Sequence, residues 1–201
     1  MKKILFAFVI LLGSCAAFAD MEQLYEDIMA YYQGITTFQA ELLQENYWQE
    51  INISKTSRGM IYYNRDSLHI AYLKPDEQQL FVLQNDILIY EPATAQAIWM
   101  DKGDFKIKPE EILSFYWESS EIEIISQSGN ETILLLTNPA ESIEIVLDKL
   151  FIRSVQITDG EGNIVKYSFQ AEHINLQLPS GIFTLQLPPK TNVIDNRNGG
   201  N

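Results

Sequence analysis

The sequence predicts a mainly β fold with helices: one large, strongly curved antiparallel sheet and two helices against its concave side. Three observations carry this. Roughly ten short apolar stretches, most of them alternating, are separated by turn residues at hairpin spacing, enough strands for an antiparallel sheet to curl. Two stretches with helical periodicity interrupt them. The hydrophobic fraction is 46% against 20% charged, so a chain of this length can build a sizeable core with apolar surface to spare.

Residues 1–19 read as a targeting segment preceding one domain over 20–201. Lys2 and Lys3 form a positive end. The apolar run Ile4 to Leu12 is too short to span a bilayer comfortably, and Ala17-Phe18-Ala19 offers a signal-peptidase site. Cleavage there leaves Asp20 first. Leu12-Gly13-Ser14-Cys15 also fits a loose lipobox, which would lipidate Cys15. Cys15 is the only cysteine. Cleavage after Ala19 therefore leaves a chain without disulfides.

The first helix starts at Asp20, with Gln23 three residues on as in a capping box. Leu24, Ile28, Tyr31, Tyr32 and Ile35 recur at helical spacing, and Gly34 marks its end. Strands follow at Phe38 to Gln44, within Ile51 to Tyr63, at Leu68 to Tyr72, Leu80 to Leu83, Ile87 to Tyr90 and Ala97 to Met100. Pro75-Asp76-Glu77, Asn85-Asp86 and Pro92 to Thr94 are the turns.

Pro109-Glu110-Glu111 opens the second helix. Proline suits a first turn and the glutamates suit the positive end of the helix dipole. Ile112, Leu113, Tyr116 and Trp117 make its apolar cluster. Strands resume with Ile122/Ile124, Ile133/Leu135, Ile143/Ile145/Leu147, Val155/Ile157 and Val165/Tyr167/Phe169. Phe183, Leu185 and Leu187 read as the last strand, stopped by Pro188-Pro189, with a frayed end from Asn196.

Net charge is −13, and removing residues 1–19 leaves 12 basic against 27 acidic residues, or −15. Such a surface repels phosphate backbones and anionic headgroups, which argues against nucleic acid and favours a protein partner with a basic face. There is no metal-ligand spacing, no nucleophile elbow and no phosphate-cradling loop. The sequence thus implies no cofactor, no metal and no enzyme. His69, on the face opposite Leu68, Ile70 and Tyr72, reads as an outward-facing strand histidine. Leu80-Phe81-Val82-Leu83, Ile87-Leu88-Ile89-Tyr90 and Ile133-Leu134-Leu135-Leu136 are apolar on both faces. Either helices and loops cover both faces, or one face lines an apolar cavity.

The order of motifs resembles the outer-membrane lipoprotein carrier (LolA-type) family. Phe38-Gln39-Ala40-Glu41-Leu42-Leu43-Gln44 resembles its F-x-A-x-F-x-Q strand, and Gly59 to Arg65 its G-to-R segment. Pro75-Asp76-Glu77-Gln78 matches the P-D-x-Q turn. Ile87 to Pro92 resembles the l-W-x-Y-x-P strand, and Phe183 to Pro189 with Val193-Ile194-Asp195 resembles the closing strand. Asp66 stands where the family usually has proline, Asn85-Asp86 replaces an Asp-Gly turn, and Ile89 stands near the usual tryptophan, which marks a divergent member.

The resemblance implies an unclosed, strongly curved antiparallel barrel with a helical lid over a hydrophobic cavity. It implies a monomeric periplasmic carrier that binds acylated lipoproteins. It would receive them from an inner-membrane lipoprotein-releasing ABC transporter and pass them to an outer-membrane lipoprotein receptor. The alternatives are a receptor or sensor of the same fold anchored through Cys15, and a periplasmic hydrolase. The family plan and the periodicity together place Ile28, Tyr32, Ile61, Leu68, Ile70, Tyr72, Leu80, Ile112, Leu113 and Phe115 around the cavity. The resemblance makes Arg65 the residue whose guanidinium holds the lid. Without it, Arg65 reads as a solvated strand-end arginine.

Overall fold

The computed structural model describes residues 21–103 and 105–197. The expected targeting segment, Cys15 and the expected capping role of Asp20 lie outside them. The chain divides at Gly34 into two compact units. In the first, residues 21–33 form helix α1. Gln23 Nε2 donates to Asp27 Oδ1 at 2.9 Å one turn on. Gly34 N donates to the carbonyls of Ala30 and Tyr31, closing the last turn. Ile28 and Tyr32 are its buried side chains, and the Tyr31 and Tyr32 rings meet edge to face.

The second unit is one 12-stranded sheet: β1 Thr37–Trp48, β2 Ile53–Asn64, β3 Ser67–Lys74, β4 Gln78–Val82, β5 Asp86–Glu91, β6 Gln96–Asp101, β7 Glu121–Ser128, β8 Glu131–Thr137, β9 Glu141–Asp148, β10 Phe151–Asp159, β11 Ile164–Ile174 and β12 Asn192–Asp195. Helix α2, Pro109–Ser119, lies between β6 and β7 in the chain. The order is β12-β6-β5-β4-β3-β2-β1-β11-β10-β9-β8-β7. The sheet curls but does not close, with β12 and β7 as its two edges. All neighbours are antiparallel except β12, which runs parallel to β6.

Three of the turns are held by side chains within them. Asn64 Oδ1 accepts from the backbone N–H groups of Asp66 and Ser67 in the β2–β3 turn. Asn138 Oδ1 does the same for Ala140 and Glu141, and Asp159 Oδ1 for Glu161 and Asn163. These Asx bonds satisfy turn donors that no ladder reaches. Gly59 answers a different need. A Cβ there would lie 2.1 Å from the Ala71 carbonyl oxygen, so β2 and β3 approach too closely for any side chain.

The last expected strand is corrected. Phe183 stands in a turn, and residues 176–191 pair with no strand. The final strand is β12, held by Asn192 N donating to Ala95 O and Asn196 N donating to Trp99 O, both at 2.8 Å. The alternation of Leu185 and Leu187 is real, but it serves packing on the sheet: both lie against a core of Phe81, Leu88, Tyr90 and Ala97. Asn196 and Arg197 are tied down rather than frayed, because the Arg197 guanidinium stacks 4.7 Å from the Trp99 ring centre and pairs with Asp195 and Asp86.

Candidate functional site

Cross-strand partners in a sheet share a face. The registers therefore assemble two continuous rows on one side of β1–β6. One runs Ala40–Ile61–Ile70–Leu80–Ile89–Ile98 and continues to Ile194 on β12. Beside it runs Phe38–Tyr63–Leu68–Val82–Ile87–Met100. Across β1 the same face continues through Leu42–Phe169, Tyr167–Val155–Ile145–Leu134 and Val165–Ile157–Ile143–Leu136.

Coverage of this face is uneven. Leu134, Leu136, Ile143, Ile145 and Leu147 are buried. Ile61, Leu68, Ile70, Leu80, Ile89 and Ile98 are only half-buried, while Ala40, Tyr63, Val82 and Ile87 in the same two rows are buried. A row of aliphatic side chains left part-exposed across five neighbouring strands is an apolar furrow, not a finished core.

Helix α2 spans one end of this face. Its start lies by the β2–β3 turn. There Glu110, Glu111 and Asp66 act with burial to push the Tyr63 hydroxyl up to about 12, burial being the largest cause and Arg65 opposing. Its far end lies by the β8–β9 turn. Asn138 Nδ2 donates to Ser120 Oγ at 3.4 Å, and Glu141 bonds the Tyr116 hydroxyl and, after burial, helps to raise its pKa. Proline at the first helical position and two acidic residues in the first turn start α2 without a side-chain cap. Lys108 Nζ holds Glu111 Oε1 at 2.8 Å.

The sheet brings Ile61, Leu68, Ile70, Tyr72 and Leu80 onto this one face, and Leu113 on α2 is 5% exposed. Ile112 and Phe115 correct the expectation. They are 39% and 54% exposed, on the outward side of α2. The inward side is Leu113 with half-buried Tyr116 and Trp117, one turn on, and buried Ile107 precedes the helix. Ile28 and Tyr32 belong to the other unit. Arg65 is exposed in the β2–β3 turn, where its charge is felt at Tyr63.

His69 is a second correction. It does lie opposite Leu68 and Ile70, but it is buried, at 6% exposure. Its ring stacks between Tyr62, 5.6 Å away, and Phe81, 4.1 Å away. Nε2 donates to Gln79 Oε1 at 2.6 Å. Burial lowers its pKa, against bonds to Gln79 and the Ile182 backbone. The segment carrying Ile182 covers this face, so the residue is a packed core histidine.

Sequence reasoning missed the polar end of the furrow. Beyond Gly59 the same side-chain parity turns polar, through Gln44, Asn46 and Trp48 on β1 and Ser57 and Lys55 on β2. These residues, with Tyr72, Gln78 and Glu91, line a pocket of about 590 Å³. Its signal was present in the chain: Ala40 and Leu42 alternate straight into Gln44, Asn46 and Trp48. Among the described residues, no helix is long and apolar enough to cross a membrane, and no group of three or more His, Cys, Asp or Glu could hold a metal ion.

The model of the outer membrane lipoprotein carrier protein LolA family matches residues 33–186, and the chain belongs to that family. No curated protein sequence matches it. A conserved protein from Thermus thermophilus shares the fold, with a TM-score of 0.59 at 12% identity over 87% of this chain and 99% of that one. A LolA-superfamily protein from Nitrosomonas europaea has a TM-score of 0.49 at 11% identity, over 82% of this chain and 97% of that one. An outer membrane lipoprotein-sorting protein domain from Vibrio parahaemolyticus has 0.43 at 12% identity, over 81% and 95%.

Proposed function

We propose that this chain is a periplasmic carrier that holds the acyl chains of lipoproteins along the half-buried furrow. It would take them from an inner-membrane ABC transporter and hand them to an outer-membrane receptor. The observation that supports this most is the row Ile61–Ile70–Leu80–Ile89–Ile98, whose side chains keep apolar surface in water. Each CH₂ moved from water onto such a surface is worth about 0.8 kcal/mol, so an acyl chain and the furrow shield one another. Tyr72, beside the row, and Leu68, in the next one, widen the contact. Leu113 closes it from α2.

Release demands that this shield open at modest cost. In this reading α2 is the part that moves, and Arg65 holds it. The acidic residues at the start of α2, Glu110 and Glu111, stand near the β2–β3 turn that carries Arg65. Bonds from a charged donor are worth about 1.5–3 kcal/mol each in net terms, less where water reaches them. That is enough to favour a closed empty form and little enough to be overcome by cargo.

The test is transfer. Purified chain is mixed with donor membranes bearing acylated lipoprotein, and soluble complex is recovered. Ile70→Asp and Ile89→Asp, each placing a carboxylate in the furrow, should abolish recovery while an unacylated cargo variant is ignored by wild type. Recovery that is independent of acylation would end the carrier reading.

A further inference from the structure

We propose that the polar end of the furrow is a subsite for an uncharged, hydrogen-bonding head carried by the acyl ligand, and that it rejects anionic heads. This deepens the carrier reading and rests on it. The pocket lies on the same sheet face as the apolar row, directly past Gly59. An amphiphile lying along the face therefore has its chain on isoleucines and its head among amides.

The lining is organised rather than merely polar. The Tyr72 hydroxyl donates to Gln44 Oε1, and Gln44 Nε2 donates to Asn46 Oδ1 at 3.1 Å. This relay occupies Asn46 Oδ1 and leaves its NH₂ group to serve as a donor. Burial pushes the Tyr72 hydroxyl up to about 12, with Tyr167 adding to it, so it remains a donor throughout the working range. Across the pocket Gln78 Nε2 donates to Glu91 Oε1 at 3.1 Å, which leaves Gln78 Oε1 as an acceptor. Donor and acceptor amides on opposite walls match a head that itself both donates and accepts, such as an amide or a hydroxyl.

Charge sets the exclusion. Asp76, Glu77 and Glu91 line the pocket against Lys55 alone, and Lys55 Nζ is already engaged by Asp76 at 2.8 Å. A phosphate would enter a site where three carboxylates face one lysine that already has an acidic partner, so the net charge opposes an anionic head. Trp48, 39% exposed at the rim, offers an apolar plate for the neutral face of the head.

The test uses the full chain loaded with fluorescent aminoanthracene as a furrow probe. Three amphiphiles with the same twelve-carbon chain compete for it below their micellar range. They are dodecyl maltoside, an uncharged dodecanoyl dipeptide amide and dodecyl phosphate. One or both uncharged heads should displace the probe at about tenfold lower concentration than the phosphate, and the better of the two identifies hydroxyl or amide as the source. Asn46→Ala and Trp48→Ala should each weaken the preferred head several-fold while probe affinity holds. Glu91→Gln should narrow the gap by admitting phosphate. Equal displacement by all three, or variants that move none of them, would overturn the subsite and leave the carrier reading intact. Failure of the probe and all three amphiphiles to bind would remove the carrier reading and the subsite together.

Discussion

The two faces of strands β3–β6 are built from similar residues and finish differently. On one face Phe81, Leu88, Tyr90 and Ala97 are 2%, 3%, 7% and 0% exposed, because Leu185 and Leu187 from the segment after β11 pack over them. On the other, Ile70, Leu80, Ile89 and Ile98 alternate with those residues in the same strands, yet stay only half-buried, although Val82 and Ile87 beside them are buried. Hydrophobicity is equal on the two sides, so it does not distinguish core from binding surface. What distinguishes them is whether the chain supplies its own cover. The covered face carries stability. The less covered one keeps part of its apolar area in contact with water, at the cost of a large sheet not fully packed.

That contrast can be tested to destruction by paired truncations. Phe81→Ala on the covered face should destabilise the protein by about 3–5 kcal/mol, since it opens a cavity under the C-terminal segment and removes the ring stacked on His69. Ile89→Ala on the open face should cost far less and should weaken acyl-probe binding instead. Urea denaturation and probe titration of the two variants give both readouts. Equal destabilisation by the pair would erase the distinction between the faces.

The next largest effect is expected at Arg65, in the β2–β3 turn. Arg65→Leu should leave urea stability nearly unchanged, because the residue is exposed in a turn. The variant should load lipoprotein but hand it on about tenfold less well, equivalent to ~1.4 kcal/mol. Lysine should restore only part of this, lacking the planar multi-donor fork. A two-step transfer assay decides it, and wild-type handover by the leucine variant would return Arg65 to the role of a solvated turn residue.

His69 sharpens the comparison from the covered side. Its folded pKa is lowered by burial, so below the ordinary value of about 6.5 the unfolded chain takes up the proton first. Stability should be unaffected by this group above that value and fall as pH drops through it, by no more than about 1.4 kcal/mol per pH unit. His69→Gln should flatten that slope in denaturation curves recorded from pH 7 to 5. The smallest effect belongs to the rim of the open face. The Lys55–Asp76 pair is 45% and 73% exposed, and Asp76→Asn should shift stability by less than about 0.5 kcal/mol, within what exposed pairs contribute.

Much of this architecture is local, and local features are legible in a linear chain. Period-two alternation marks the strands, asparagine and aspartate mark the turns they cap, and Pro109-Glu110-Glu111 marks the start of α2, since each acts within a few residues of itself. Parity was legible too: Ile61, Leu68, Ile70, Tyr72 and Leu80 fall on one face because a strand has only two. What no window of sequence contains is the cover. His69 is on the side its alternation implies, but whether that side meets water depended on Ile182, Leu185 and Leu187, more than a hundred positions away. Ile112 and Phe115 are apolar residues of α2, yet it is Leu113 that is buried and both of them that are exposed, because the roll of a helix is set by what it packs against. The polar pocket is shared by five strands and two turns, and it exists only once the registers align them. Alternation decides which side chains share a face. Long-range packing decides which face is sealed and which stays part-exposed, because burial belongs to the assembled surface and not to the residue.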